Sequence, residues 1–377
     1  MNRETTILLN VVLILILLGT LMVYSANSVN VYDNKEFDGT VSPHYLIEQL
    51  IKVVVGFAVM ILAARFDYHN YLRLGVRGML VIGIIGLLVL TLFISEEIRG
   101  GRRWINLGGF TLQASELAKL VLIIVLSAKL AHSSEKGVRF FTMFIPAVLW
   151  TALFGGLVFM QQDLGTPVVM GACMMILLFV AGAPLWQLGL IVTPGIVGFI
   201  AAIIQEPYRL ERVRALFDPW AYRSSEGGMQ LIESISGFAR GSMWGKGLGA
   251  GEQKLNFLPD AHSDFIFSVW GEEMGLAGSI ILVFLFVTLL VVGRRIALSA
   301  PDTFGTLLAA GIVFLVTLQA GLNMGVVTGL LPTKGLALPF ISEGGSSLLA
   351  NMLSVGVLFN IAVQCEVHES ARRPVAA

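Results

Sequence analysis

The run Ile7-Leu-Leu-Asn-Val-Val-Leu-Ile-Leu-Ile-Leu-Leu-Gly-Thr-Leu-Met-Val-Tyr-Ser-Ala26 decides the class of this chain. It matches the roughly 20 apolar residues that a helix needs to cross a bilayer. Placed just after Met1-Asn-Arg-Glu it could pass for a secretory leader, but it exceeds the about 7–15 apolar residues of a signal peptide. It therefore reads as a retained first helix. Similar runs recur along all 377 residues, of which 56% are hydrophobic and 13% charged. The mean hydropathy is +0.81. A soluble domain carries about 25% charged residues. Barrel strands would alternate apolar and polar positions over about ten residues, and no such alternation is present. The expected fold is all-α and polytopic, with about ten transmembrane helices and a long extracytoplasmic loop.

The spans are expected at about 7–27, 46–64, 75–94, 114–132, 143–161, 166–182, 185–204, 267–293, 304–323 and 346–365. An even number puts both termini on one side. Short loops on that side carry Arg65, Arg73, Arg77, Lys136, Arg139, Arg294 and Arg295, with Arg372 and Arg373 in the tail. The positive-inside rule makes that side cytoplasmic. Four connections are read on the other side: 28–45, 95–113, the long loop of about 205–266, and 324–345. The second holds Arg99, Arg102 and Arg103 against the charge bias, which points to an anionic ligand. Residues 1–366 form one membrane domain, and 367–377 a short polar tail expected to be disordered. The 25 basic and 25 acidic residues leave no nucleic-acid footprint. Cys173 and Cys365 read as small buried hydrophobes, with neither a disulfide framework nor a zinc set.

Several polar clusters interrupt the apolar pattern. Gly100-Gly-Arg-Arg-Trp is followed by Gln113-Ala-Ser-Glu-Leu-Ala-Lys119. The forked donors of Arg102 and Arg103 suit phosphate oxygens. Ser115 reads as a helix cap. Glu116 and Lys119 share a face three residues apart, either as an internal ion pair or as part of a binding group. Gln161-Gln-Asp163-Leu-Gly-Thr-Pro167 reads as a tight turn with a cap. Tyr208-Arg-Leu-Glu-Arg-Val-Arg214 reads as an amphipathic interfacial helix. The glycine-rich stretch 241–251 follows no strand, so it is a close-packing loop rather than a phosphate loop.

Leu258-Pro-Asp-Ala-His-Ser-Asp264 leads straight into an apolar run. Asp264 there is either an N-cap or a functional carboxylate at a membrane boundary. Glu272 and Glu273 follow inside the span, and at least one must be paired or face water. Gly329-Leu-Leu-Pro-Thr-Lys334 through Ser342-Glu-Gly-Gly-Ser-Ser347 reads as a non-helical, re-entrant segment. Such backbone is tolerated at membrane depth only when buried in protein or lining a wet cavity. Ser342, Gly344, Gly345 and Ser346 could offer N–H groups to an anion.

Taken in order, GGRRW…QASELAK, QQDLG, PYRLERV…FDPW, GKGLGAGEQKLNFLPDAHSDFIF…GEEMG and GLLPTKGLALPFISEGGSS resemble the SEDS (shape, elongation, division, sporulation) family over nearly the whole chain. The glycine loop and GEEMG look more like the FtsW branch than the RodA branch. The resemblance implies a peptidoglycan glycosyltransferase polymerising lipid II outside the bacterial cytoplasmic membrane, with both termini cytoplasmic. It also implies a class B penicillin-binding protein as transpeptidase partner, among other divisome or elongasome membrane proteins. The family's catalytic aspartate falls on Asp264, and its basic and acidic positions near the fourth span fall on Arg102, Arg103, Glu116 and Lys119. Lys334 joins the arginines and Lys119 as a candidate cation for a pyrophosphate leaving group. A divalent cation, Mg or Mn, could share that role, although no dedicated cage is present. Two departures are Ala114, where the family usually has proline, and Glu343, where it usually has tyrosine. The alternative reading is a lipid II flippase with no covalent chemistry.

Overall fold

In the computed structural model, residues 3–27, 43–96, 101–106, 108, 111–135, 140–254 and 258–372 are described. Arg99, Gly100, Gly109, Lys136, Arg139, Arg373 and most of the connection 28–45 lie outside them. Twelve helices are present among the described residues: α1 Arg3–Asn27, α2 Pro43–Arg65, α3 Leu74–Ile94, α4 Ala114–Glu135, α5 Phe140–Met160, α6 Gly165–Val180, α7 Leu185–Ile204, α8 Pro207–Phe217, α9 Glu226–Gly241, α10 Ile266–Ser299, α11 Thr303–Val327 and α12 Gly345–Arg372. A two-residue hairpin, β1 Ile105–Asn106 and β2 Thr111–Leu112, precedes α4. A helix stands at each of the ten expected spans. Eight are long and apolar enough to cross a membrane.

The other two, α4 and α6, fall short for physical reasons. α6 has only 16 residues. α4 carries Glu116, Lys119 and Lys129, yet the bundle buries it almost completely from Ala118 to Ala128. It is surrounded by α3, α5, α6, α11 and α12 rather than by lipid; Glu116 and Lys119 pair inside the bundle, while Lys129 lies exposed near the other end of the helix. α7 is the opposite case. It leans mainly on α6 and α8 and leaves Leu185, Trp186, Ile196, Val197 and Ile200 exposed, as a lipid-facing helix does.

The long loop holds α8, as expected, and also α9, for which the sequence gives no expectation. Two expectations are corrected. The last helix runs on to Arg372, into the segment read as a disordered tail. The eighth span is two helices: at Gly275 the backbone takes φ 67° and ψ −168°, breaking α10. The loop 242–247 fills the break. Leu276 and Ala277 donate to the Ser242 and Met243 carbonyls at 2.9 and 3.1 Å, and Lys246 and Gly247 donate to those of Glu272 and Glu273 at 3.0 Å each. Gly245 and Gly275 must both be glycine, because a Cβ on either would lie within 2.5 Å of the other strand's backbone.

Candidate functional site

The break in α10 sets its first turns, and hence the segment before them, against the long loop. Glu272 and Glu273 are both fully buried and both paired. Glu272 accepts from the Glu252 and Gln253 amides at 2.9 Å each and lies 3.2 Å from Lys246. Glu273 meets Lys254 at 3.0 Å and accepts twice from Ser25 of α1 at 2.7 and 2.8 Å. The glycine-rich stretch is thus a close-packing loop clamped by two carboxylates.

Upstream, Asp260 takes φ 58° and its carbonyl accepts from the Ser263 and Phe265 amides, making a tight turn. α10 opens behind Phe265, which makes no side-chain cap bond, and Asp264 stands one residue before that position. Its carboxylate rests on the backbone of Gly335, where a Cβ would come within 2.5 Å of Oδ2. The connection 328–344 between α11 and α12 is non-helical, and Thr333, Leu338, Phe340, Ile341 and Ser342 are buried within the protein. It is stitched to the Asp264 segment: Ser342 Oγ donates to the Ser263 carbonyl at 2.6 Å, and the Glu343 amide to that of His262 at 3.0 Å.

Lys334, next to Gly335, reaches the other way. Its Nζ lies 3.3 Å from Asp163 Oδ1, over Gly165, where a Cβ would collide with it at 1.6 Å. Asp163 also caps α6. It accepts from the Gly165 and Thr166 amides at 3.0 and 3.3 Å and from the Thr166 hydroxyl at 2.6 Å. Arg103 donates to the Gln162 carbonyl at 2.6 Å beside this pair. Arg212 of α8 donates to the Thr333 carbonyl at 3.4 Å.

Burial alone would push the Asp163 carboxyl up, but the Lys334 ammonium, the Thr166 hydroxyl and the Arg103 charge outweigh it and hold it below the usual carboxylate range. Lys334 is held below the usual lysine range, first by burial and then by the facing charges of Arg103 and Arg209, with Asp163 only partly offsetting them. The partners differ because Asp163 has amide and hydroxyl donors besides the lysine. Lys334 has one carboxylate and two guanidinium neighbours.

The structure thus gathers Asp264, Lys334 and Arg103 at one end of the bundle, with Asp163 added. From the sequence Asp163 reads only as a cap, and four connections fall on that side. Alternation of ten helices adds the turn 161–164 as a fifth, which was the available signal. Other expected residues stand apart or are otherwise occupied. Arg102 is exposed, with a long 3.5 Å bond to the Leu92 carbonyl. Lys119 is buried and pairs with Glu116 at 2.7 Å, the internal ion pair. Ser115 is no cap: its hydroxyl is buried without a hydrogen-bond partner among the described residues. Ser342 Oγ also accepts from the Leu338 amide at 2.7 Å, and Ser346 Oγ is held between the Thr111 carbonyl and the Gln113 amide. Those two hydroxyls organise loops rather than stand open to a ligand. Gly344 and Gly345 open α12. Glu343 does not pair with Lys334. It accepts from Asn27 at 2.6 Å and lies 3.8 Å from Lys52. Among the described residues no three His, Cys, Asp or Glu side chains cluster as metal ligands.

A sequence model for the FtsW, RodA and SpoVE cell cycle proteins matches residues 5–366. The chain belongs to this family. A relative from Geobacter metallireducens, named "Probable peptidoglycan glycosyltransferase FtsW", is 42% identical over 96% of each chain. Stage V sporulation protein E of Bacillus subtilis is 35% identical over 94% of this chain and 96% of its own. Among solved structures, a chain of a peptidoglycan synthase complex that coordinates polymerization and crosslinking matches with a TM-score of 0.77 at 28% identity, covering 95% of this chain and 97% of its own. The rod shape determining protein RodA of Thermus thermophilus matches with a TM-score of 0.69 at 25% identity, covering 95% and 96%. Family membership and the apolar helices make the chain a multi-pass membrane protein, and the fold follows the RodA architecture over nearly its whole length.

Proposed function

We infer that this FtsW-like protein is a peptidoglycan glycosyltransferase that polymerises lipid II into glycan strands at the outer face of the bacterial cytoplasmic membrane, in division or elongation. The observation that carries this is the Asp264 carboxylate resting on Gly335, one residue from Lys334, at one end of the bundle. A base and a cation are thereby presented from adjoining strands.

Asp264 acts as general base. It takes the proton from the acceptor sugar's 4-hydroxyl as that oxygen bonds to the donor's anomeric carbon, and the bond from that carbon to the pyrophosphate oxygen breaks. Base assistance contributes about 10²–10⁴-fold. The polyprenyl pyrophosphate departs with the electron pair, so fixed cations are needed where its charge develops. Lys334 and Arg103 are assigned this role, and their shared position beside the Asp163 turn supports it. Arg102 at the rim belongs to the wider substrate path, whereas Lys119 and Glu116 neutralise each other inside the bundle, and Gly344 and Gly345 lie at the α12 start. A divalent cation would ride on the substrate's phosphate oxygens, because magnesium commonly needs only one or two carboxylates besides phosphates.

The likeness to a chain of a synthase complex supports a class B penicillin-binding protein as crosslinking partner, within a larger division or elongation assembly. Both termini face the cytoplasm, with the Asp264 end outside. The test is polymerisation of labelled lipid II by purified protein, with and without that partner. Wild type yields glycan strands, and Asp264→Asn slows their formation by about 10²–10⁴-fold while retaining its thermal unfolding profile. Transport of lipid II across vesicles without strand formation under any condition would overturn the reading.

A further inference from the structure

The mechanism above leaves one buried polar side chain beside its base unused. Asn323, near the C-terminal end of α11, is 1% exposed. Its Nδ2 donates to the Asp264 carbonyl at 2.7 Å and to the Leu336 carbonyl at 2.5 Å. Those carbonyls belong to different connections, one carrying the carboxylate and the other carrying Lys334. A single amide group therefore ties the two functional strands together. Its orientation follows from its partners, since the flipped group would set an oxygen against two carbonyl oxygens.

The position is not explained by filling space. Asn323 Oδ1 is buried without a hydrogen-bond partner among the described residues. An apolar side chain of similar size would leave no such orphan, so the amide hydrogens are what the site uses. Gly335 completes the seat. It lies between Lys334 and Leu336, and its missing Cβ is the space that the Asp264 carboxylate occupies, 2.5 Å from Oδ2. Its φ lies outside the left-handed region, so conformational freedom is not why glycine stands here.

We propose that Asn323 is a positioning residue for glycosyl transfer: one amide, with Gly335 as the seat, fixes the Asp264 carboxylate relative to the Lys334 strand. The proposal rests on the assignment of Asp264 as base. A misplacement of about 1 Å at a reacting group can cost about 10²-fold in rate.

The test uses full-length protein with its transpeptidase partner, and reads strand formation from labelled lipid II per folded molecule. Asn323→Leu and Gly335→Ala are each expected to lower kcat by about 10–100-fold with apparent KM nearly unchanged. Gly335→Ala meets no backbone strain, so it decides the matter if Asn323→Leu does not accumulate. Asp264→Asn combined with Asn323→Leu should be no slower than Asp264→Asn alone, because a residue acting through the base adds nothing once the base is gone. Wild-type kcat in both single variants, or losses that multiply in the double variant, would overturn the proposal. Those failures differ from failure of the base assignment, in which Asp264→Asn itself polymerises normally and both ideas fall.

Discussion

Lys334→Met separates two roles that the geometry gives to one ammonium group. The methionine keeps the stem and removes the charge 3.3 Å from Asp163, whose side chain is 8% exposed. Breaking a buried pair from one side costs about 3–5 kcal/mol. The lower end applies here, because Asp163 keeps its Gly165 and Thr166 bonds and Lys334 is itself 29% exposed. Separately, losing one preorganised donor at a developing oxyanion costs about 10²–10³-fold in kcat. Thermal unfolding in detergent reads the first effect, and lipid II polymerisation per folded molecule reads the second. Adding Asp163→Asn to Lys334→Met should restore stability, since no orphaned carboxylate remains, but should leave turnover low. Wild-type turnover in that double variant would refute the reasoning and reduce Lys334 to a counter-ion. The pH dependence has a defined sign. Lys334 sits below the usual lysine value of about 10.4. Activity should therefore fall as pH rises through that lowered value, earlier than for an ordinary lysine. Lys334→Arg, if active, should lose this limb, because arginine stays protonated. A depressed lysine opposes folding while protonated, and that opposition fades between its folded and its unfolded value.

Two further perturbations address the surroundings. Lys254→Met strands the fully buried Glu273. It should destabilise the loop clamp by about 3–5 kcal/mol, seen as faster protease cleavage within 242–254, and Glu273→Gln in the same chain should reverse most of it. Unchanged cleavage in Lys254→Met would show that the pair does not hold the loop. Glu343→Tyr should retain polymerisation and leave its divalent-cation titration superimposable on the wild type, because Lys52 keeps Glu48 at 2.8 Å. A shifted titration would show that Glu343 helps to hold a cation.

The ten spans were legible because apolar length is a local property of the chain, and α8 was legible because its basic and aromatic residues repeat at helical spacing. α9 was not. Its glycines, Gly227, Gly228, Gly237 and Gly241, read as loop, yet they are what lets the helix approach its neighbours. A Cβ on Gly241 would lie 2.0 Å from the Gly271 carbonyl oxygen, and one on Gly237 2.6 Å from Ser268 Oγ. Close packing replaces helix propensity there, and propensity is all that a single sequence displays. The break in α10 was hidden for a related reason. GEEMG reads as continuous helix until the loop that supplies hydrogen bonds to both sides of Gly275 is known.

The same division between local and distant causes runs through the site. Asp264 and Lys334 announce themselves as charges at the edges of apolar runs, where ionisable groups are costly unless used. Asp163 was read as a cap, and its amide bonds bear that out, but a cap explains only part of its environment. The lysine that pairs with it lies 171 residues away in the sequence. Asn323 gave no signal at all, because a single asparagine in an apolar helix is unremarkable without its partners. Those partners are carbonyls 59 and 13 residues distant, and every chain of this composition offers hundreds of carbonyls. What singles out these two is that one peptide belongs to the proposed base and the other follows the proposed cation by two residues. A side chain whose role lies in joining two backbones is invisible until both are placed, and the geometry of general-base catalysis depends on such joints as much as on the base.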